Sequence, residues 1–174
     1  MKTHLLYAIV LGLAGTASAA TAQDSDTFLA QTTIPGFCAN ISAQPAPLEV
    51  DELSDSEGRV VSTFTGTTSF SVPAYYCNAP ATITLKATPL KQTQGSTITN
   101  PNAFTDLVHY RANLTWDNVS GSVESTVVAG ADIAAAEANY GDLTVSISNP
   151  NTIDNRRPIA GDYEGAVTLT VTLQ

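Results

Sequence analysis

His109 is the residue on which acid–base catalysis would depend, because the other histidine, His4, lies in an apolar N-terminal stretch. A histidine base needs a nucleophile and an orienting acid within hydrogen-bond reach, and no motif supplies them. In the alternating segment 108–116, His109 falls on the polar face beside Arg111. We therefore expect a solvated strand histidine and a protein that is not an enzyme.

Cys38 and Cys77 are the two cysteines of the chain. An even number in an exported chain predicts a disulfide. It would close a loop of about 40 residues and stabilise the fold by on the order of 4 kcal/mol. The alternatives are a metal pair or a catalytic thiol. A structural zinc site needs four ligands, more than two cysteines and one histidine supply, so the disulfide is favoured.

A cluster of carboxylates in segment 51–57 is the candidate cation site. Carboxylate oxygens bind calcium, but the spacing does not match the alternating ligands of an EF-hand loop. An ordinary acidic turn ending at Gly58 is therefore favoured over a calcium site, and we predict no metal and no cofactor. The acidic residues are Asp51, Glu52, Asp55 and Glu57.

Aromatic side chains are candidates for a sugar-binding platform, namely Tyr75, Tyr76, Tyr110 and Trp116. Tyr110 and Trp116 share the apolar phase of one alternating segment, which favours a place in the core. Three asparagines, Asn40, Asn113 and Asn118, lie in N-x-S/T sequons. In a bacterial chain these sequons would be chance matches.

Four segments alternate with the period of two that is typical of half-buried strands. The apolar phase is expected to face the core and the threonine-rich phase to face outward. The inward sets are Ala81, Ile83, Leu85 and Ala87; Val108, Tyr110, Ala112, Leu114 and Trp116; Leu143, Val145 and Ile147; and Val167, Leu169, Val171 and Leu173.

Weaker patterns fill the remainder of the chain. Strands are predicted at 60–64, 69–77 and 125–128, and residues 38–50 indicate a first strand interrupted by prolines. The strand at 69–77 changes phase at Pro73, which favours a bulge or an edge position. Residues 131–139 are alanine-rich and favour one or two helical turns, whereas 92–102 favour a polar loop. Turns are expected at 78–80, 118–121 and 149–151, and Gly161-Asp162 is expected to open the last strand.

The N-terminal segment indicates export. Lys2 precedes an apolar run from Leu5 to Ala14, and small residues ending in Ala17-Ser18-Ala19 follow. This is typical of a signal peptide over residues 1–19, with cleavage after Ala22 as the alternative. The run is too short for a spanning helix, so we predict no integral membrane span.

Charge and length limit the possible partners. The net charge is −9, which disfavours nucleic acid as a partner. The basic pair Arg156 and Arg157 is expected in a solvated loop. Cleavage would leave about 155 residues, enough for one core. We assign residues 20–36 to an extended or disordered segment and 37–174 to one domain, a β-sandwich of about seven or eight strands.

Three stretches carry a family resemblance. They are the segment from Cys38 to Leu48, residues 76–85 (Y-C-N-A-P-A-T-I-T-L) and residues 160–171 (A-G-D-Y-E-G-A-V-T-L-T-V). Together they resemble secreted bacterial domains related to spore coat protein U and to chaperone–usher pilins. The resemblance implies an immunoglobulin-like antiparallel sandwich. It also implies that a first-strand cysteine pairs with one about 40 residues later, and that an A-G-x-Y turn leads into the terminal strand.

The function that this resemblance implies is a structural or adhesive subunit of a surface coat, fimbria or matrix, located in the periplasm or at the cell surface. The partners would be a periplasmic chaperone and other copies of this chain or related subunits. They would pair with the strand that carries Val167, Leu169, Val171 and Leu173, and segment 20–36 would be the donated strand. The apolar residues of that segment lack the alternation of a pilin donor strand. The alternative is a monomeric secreted module that binds glycans.

Overall fold

The structure, a computed structural model, describes residues 31–41 and 48–174. Two compact units divide the chain, Met1–Thr33 and Ile34–Gln174, and the fold described below is that of the second. The predicted signal peptide 1–19, most of segment 20–36 and the middle of the predicted strand 38–50 lie outside the described residues. Residues 31–36 have no regular secondary structure.

The described chain is nearly all β, as predicted, with one short 3-10 helix at Ile153–Asn155. Nine of its strands have four or more residues, against the predicted seven or eight, and four are two-residue pairings. In chain order the strands are β1 Glu49–Val50, β2 Gly66–Thr67, β3 Ser69–Cys77, β4 Ala81–Ala87, β5 Leu90–Gly95, β6 Phe104–Thr105, β7 Leu107–Trp116, β8 Val119–Glu124, β9 Ala131–Ala135, β10 Asn139–Asn151, β11 Arg157–Pro158, β12 Gly161–Glu164 and β13 Val167–Leu173.

Two antiparallel sheets form the sandwich. The larger has the order β12-β5-β7-β10-β3, with β8 also paired to β7, and the smaller has the order β13-β4-β9. Two small pairings, β1 with β2 and the parallel pair β6 with β11, lie outside these sheets. Within the described residues no helix is long and apolar enough to cross a membrane.

The core lies between the two sheets and is built from the predicted alternating residues. All the inward residues of β4, β7 and β10 named above are buried. On the inner face of the larger sheet, the rings of Tyr75 and Trp116 meet edge to face with centroids 5.2 Å apart. Gly121 in β8 leaves room for Ile133 in β9, since a Cβ at Gly121 would lie 2.5 Å from the Ile133 Cδ1.

The predicted phase change at Pro73 is confirmed as a bulge. Pro73 and Ala74 lie opposite the single residue Asp142 of β10, and Ala74 has a left-handed φ of 53°. The Ala74 N–H donates to the Asp142 carboxylate at 2.9 Å. Because of the bulge, four apolar residues of β3 face the core. Phe70 and Val72 precede the bulge along the strand, and Tyr75 and Cys77 follow it.

Several weaker predictions are wrong, and alanine, glycine or polar content explains most of them. Residues 131–135 form strand β9 and Asn139 begins β10, where helical turns were predicted, and Ile133 and Ala135 are buried against the core. Residues 92–95 belong to β5 rather than to a loop. No strand forms at 125–128, and the strand of this region, β8, ends just before it at Glu124. The turn predicted at 118–121 is instead a two-residue turn at 117 and 118, because β8 already begins at Val119.

Other boundaries also differ from the prediction. Residues 60–64 contain one isolated bridge, at Val60, although Phe64 is buried. Asn149-Pro150-Asn151 is not a turn but the end of β10, where Asn149 has a φ of 58° and the pairing with β7 shifts. Gly161-Asp162 opens the separate strand β12, and β13 starts at Val167.

Candidate functional site

Strand β13 is an edge strand of the smaller sheet. All seven of its residues pair with β4, from Val167 opposite Ala87 to Leu173 opposite Ala81. Within the described residues no strand pairs with its other edge. Val167, Leu169 and Val171 are half-buried against the core, and Leu173 is 39% exposed. The predicted inward face therefore remains partly open to solvent.

The hydrogen-bond pattern shows which backbone groups of β13 are free. Thr88 N donates to Ala166 O at 2.9 Å, and Gln174 N donates to Pro80 O at 3.0 Å. Hydrogen-bonded pairs alternate along an antiparallel ladder. Even-numbered residues of β13 therefore bond to β4, and the N–H and C=O groups of the odd-numbered ones point to the open edge. The same four residues carry the open apolar face and the free backbone groups.

The disulfide between Cys38 and Cys77 is confirmed, with Cα atoms 4.0 Å apart. It belongs to a small antiparallel contact that joins the first described segment to the end of β3. Ala39 N donates to Tyr76 O at 2.8 Å, and Asn78 N donates to Phe37 O at 3.0 Å. The bond therefore anchors the segment around Cys38 at the edge strand β3 of the larger sheet.

Three of the four predicted platform aromatics are in the core. Tyr75, Tyr110 and Trp116 are almost wholly buried. Burial raises the pKa of Tyr75, and it raises the pKa of Tyr110 to about 12. Tyr76 alone is exposed, at 39%. Two exposed aromatics beside it, Phe37 and Tyr140, were missed by the sequence reasoning. The cross-strand pairing that joins Tyr140 to Tyr76 could not be read from spacing.

The prediction for His109 is wrong, because its side chain is only 7% exposed. Neither ring nitrogen has a hydrogen-bond partner within the described residues. His109 pairs with Asn151 just after the irregular pairing at the end of β10, and Pro150 and Thr152 are buried there too. This end of the outer sheet face is therefore covered rather than solvated.

The acidic segment 51–57 includes a turn that the Asp55 side chain closes. The Asp55 carboxylate accepts hydrogen bonds from Glu57 N at 2.9 Å and Arg59 N at 2.8 Å. Glu57 lies 3.5 Å from the Arg59 guanidinium. No group of three or more metal-ligating side chains occurs in the part of the chain that the structure describes. The Asp55 oxygen is used by the turn itself.

The basic pair has two different roles. Arg157 is exposed, and its Nε donates to Glu57 O at 3.2 Å, which ties the acidic turn to β11. Arg156 contacts Asp154 at 3.0 Å, and its Nε is buried without a partner in the described chain. Arg157 is therefore exposed, as predicted, but belongs to the short pairing β11 instead of a loop, whereas Arg156 lies in a loop and is only partly exposed.

The sequon asparagines differ in exposure. Asn40 and Asn118 are exposed, and Asn118 donates to the Asp117 carboxylate at 2.7 Å. Asn113 is half-buried in β7, where its amide donates to Ser148 Oγ at 2.9 Å. The Asn113 side chain is therefore part of the sheet's own hydrogen bonding.

A cavity of about 640 Å³ lies between residues 48–58 and strand β12. Leu53, Leu90, Ile159 and Tyr163 supply apolar lining. The Tyr163 hydroxyl donates to Ile159 O at 2.8 Å. Burial raises the pKa of Tyr163, the hydrogen bond to Ile159 lowers it and the Asp106 carboxylate raises it, so that the net direction is upward. The sequence reasoning did not find this cavity, since its walls come from segments far apart in the chain.

The sequence matches no model of a known protein family, and a comparison with curated proteins gives no match either.

Proposed function

We propose that the chain is an exported, non-catalytic structural or adhesive subunit of the cell surface, a component of a coat, fimbria or matrix. Strand β13 is the proposed contact with its partners, which are a periplasmic chaperone and other copies of this chain or related subunits. The observation that carries the proposal is the open edge of β13, where free backbone groups and a partly exposed apolar face coincide. An added strand would satisfy both.

The composition of β13 supports this choice over the other edges. Its sequence, V-T-L-T-V-T-L, contains no charge, proline or glycine over seven residues. The edge strand β3 carries Pro73 and a bulge, and residues 37–39 cover its end. Strand β9 has five residues, including Asp132, and β12 has four. Strand β8, which pairs only with β7, contains Gly121 and Glu124. Short, bulged or charged strands resist pairing, so β13 is the edge least protected against it.

Export is the second part of the proposal. A disulfide persists in an oxidising compartment, and Cys38 and Cys77 are bonded. The predicted signal peptide 1–19 supports the same location, in the periplasm or at the cell surface. The negative net charge of −9 favours solubility in such a setting.

The test compares two substitutions at one position of the edge. Val171→Pro removes an N–H that points to the open edge and leaves the bonds to β4 intact, because proline is tolerated at such edge positions. Val171→Ala shortens the same side chain and keeps the N–H. Light scattering of the protein from Ala20 onward should show assemblies for wild type and Val171→Ala, and monomers for Val171→Pro. Circular dichroism checks that each variant remains folded.

Two results would contradict the proposal. Assembly of folded Val171→Pro would show that the contact is elsewhere. A wild-type monomer at every concentration, unchanged by removal of residues 20–33, would favour the alternative of a self-complete module.

A further inference from the structure

Three exposed aromatic side chains lie together at one end of the larger sheet. Tyr76 and Tyr140 are cross-strand partners in β3 and β10, and Tyr140 is 67% exposed. Tyr75 and Cys77 point into the core, so the side chain of Tyr76 between them points outward. Phe37 meets Tyr76 edge to face, with ring centroids 5.6 Å apart. We call these three residues the aromatic platform.

A shallow depression of about 460 Å³ adjoins the platform. Its lining is Tyr76, Cys77, Asn78, Ala138, Asn139 and Tyr140. The volume is within the range of small-molecule sites, roughly 300–1,000 Å³. The lining contains no charged side chain, which favours a neutral ligand. A protein partner would need about 800 Å² on each side, far more than this patch of side chains offers.

Hydrogen bonds and the disulfide hold the lining in place. The Asn78 side chain accepts from Phe37 N at 2.6 Å and donates to Pro35 O at 3.0 Å. The Asn139 amide donates to Trp116 O at 3.0 Å. Each side-chain amide has further donor or acceptor capacity. The side-chain oxygen of Asn139, Oδ1, accepts no hydrogen bond within the described residues. Two polar groups held by hydrogen bonds therefore border the aromatic platform.

We propose that the aromatic platform binds a neutral sugar ring, with Asn78 and Asn139 as hydrogen-bonding partners of its hydroxyl groups. A pyranose has an apolar face of C–H groups and an edge of hydroxyls, so it matches an aromatic surface bordered by amides. Charged sugars gain nothing here, because no cationic side chain is in the lining. No residue of β13 lines the depression, and the inference holds whether or not the chain assembles.

The test uses the protein from Ala20 onward and methyl glycosides of glucose, galactose, mannose and N-acetylglucosamine, with glucuronate as the anionic comparison. Saturation-transfer NMR should show contact for at least one neutral glycoside, and titration should give its dissociation constant. Tyr140→Ala and Tyr76→Ala should each weaken binding about tenfold or more, which is the loss of one good contact. Phe104→Ala removes an aromatic of similar exposure (38%) outside the depression and should leave binding unchanged.

Several results would overturn the proposal. They are an absence of contact with all four neutral glycosides, equal affinity in the folded Tyr140→Ala and Tyr76→Ala variants, and preferential binding of glucuronate. A fall in particle size for Tyr140→Ala without any sugar contact would show that the platform joins copies of the chain instead. None of these results depends on the Val171 variants, so this site and the β13 contact are tested separately.

Discussion

His109 shows how the environment of a single residue changes its interpretation. Alternation placed it on the polar face of β7, and that face is covered where β10 ends. A neutral imidazole carries one N–H donor and one acceptor, and neither has a partner within the described residues. A buried polar group without a partner costs about 1–3 kcal/mol. The residue therefore weakens the fold where it lies.

This gives a prediction for His109→Leu. Leucine has a similar volume and no polar atoms, so the free energy of unfolding should rise by about 1 kcal/mol. His109→Ala also removes the polar atoms but leaves a cavity, so its free energy of unfolding should be lower than that of His109→Leu by about 2 kcal/mol. Urea unfolding at neutral pH measures both. A His109→Leu variant less stable than wild type would mean that the imidazole has a bonding partner in the folded protein.

At the scale of elements, prediction succeeded where apolar and polar residues alternate with clear contrast. In β4, β7 and β10 the inward residues are apolar, most of them larger than alanine, and the outward ones are polar, so the period of two can be recognised in the sequence. In β9 the inward and outward positions are mostly alanine, and the same period is hidden. The polar strand β5 has no apolar face to read. The bulge at Pro73 was predictable because the phase of large residues changes there.

One hydrogen bond ties the two sheets together at the start of β13. The Tyr110 hydroxyl donates to Ala166 O at 3.2 Å, and Tyr110 is only 2% exposed. Tyr110→Phe should lower the free energy of unfolding by about 1 kcal/mol at neutral pH, since it removes this bond. Thermal and urea unfolding measure the loss. A wild-type value in both would show that the bond contributes nothing.

Tyr110 also makes the stability depend on alkaline pH. Burial raises its pKa to about 12, above the value of about 10 for an unfolded tyrosine. The folded state therefore holds the proton more tightly. This stabilisation is complete below about pH 10 and is lost as pH rises toward 12, because the unfolded state ionises first. Tyr75 and Tyr163 are shifted in the same direction. In Tyr110→Phe the free energy of unfolding should decline less steeply with pH above about 10 than in wild type. An equal slope in both proteins would show that Tyr110 does not cause the decline.

At the scale of the whole molecule, sequence reasoning identified the apolar face of β13 but not the aromatic platform. The four apolar residues of β13 are close together in the chain, so alternation reveals them. The platform combines Phe37, Tyr76 and Tyr140, which come together through the disulfide contact and the pairing of β3 with β10. Pairing between distant strands is a property of the folded chain and has no local signal.

The disulfide joins the segment around Cys38 to the core, and its contribution to the free energy of unfolding can be measured. Cys77 is 2% exposed and belongs to the core cluster. A bridge across 39 residues restricts the unfolded chain.

Replacing both cysteines by alanine should therefore lower the free energy of unfolding by about 4 kcal/mol. The single variant Cys38→Ala should lose nearly the same free energy as the double variant. Both variants lack the bond that closes the loop, and in Cys38→Ala the Cys77 side chain keeps its place in the core. Urea midpoints measure both, and wild-type protein unfolded with and without a reducing agent is the matched control. Phe37 should also be released from Tyr76 when the bond is absent, so the double variant should lose affinity for the sugar that binds the platform. Equal midpoints with and without the bond would show that the backbone contacts at Ala39 and Asn78 hold this segment without it.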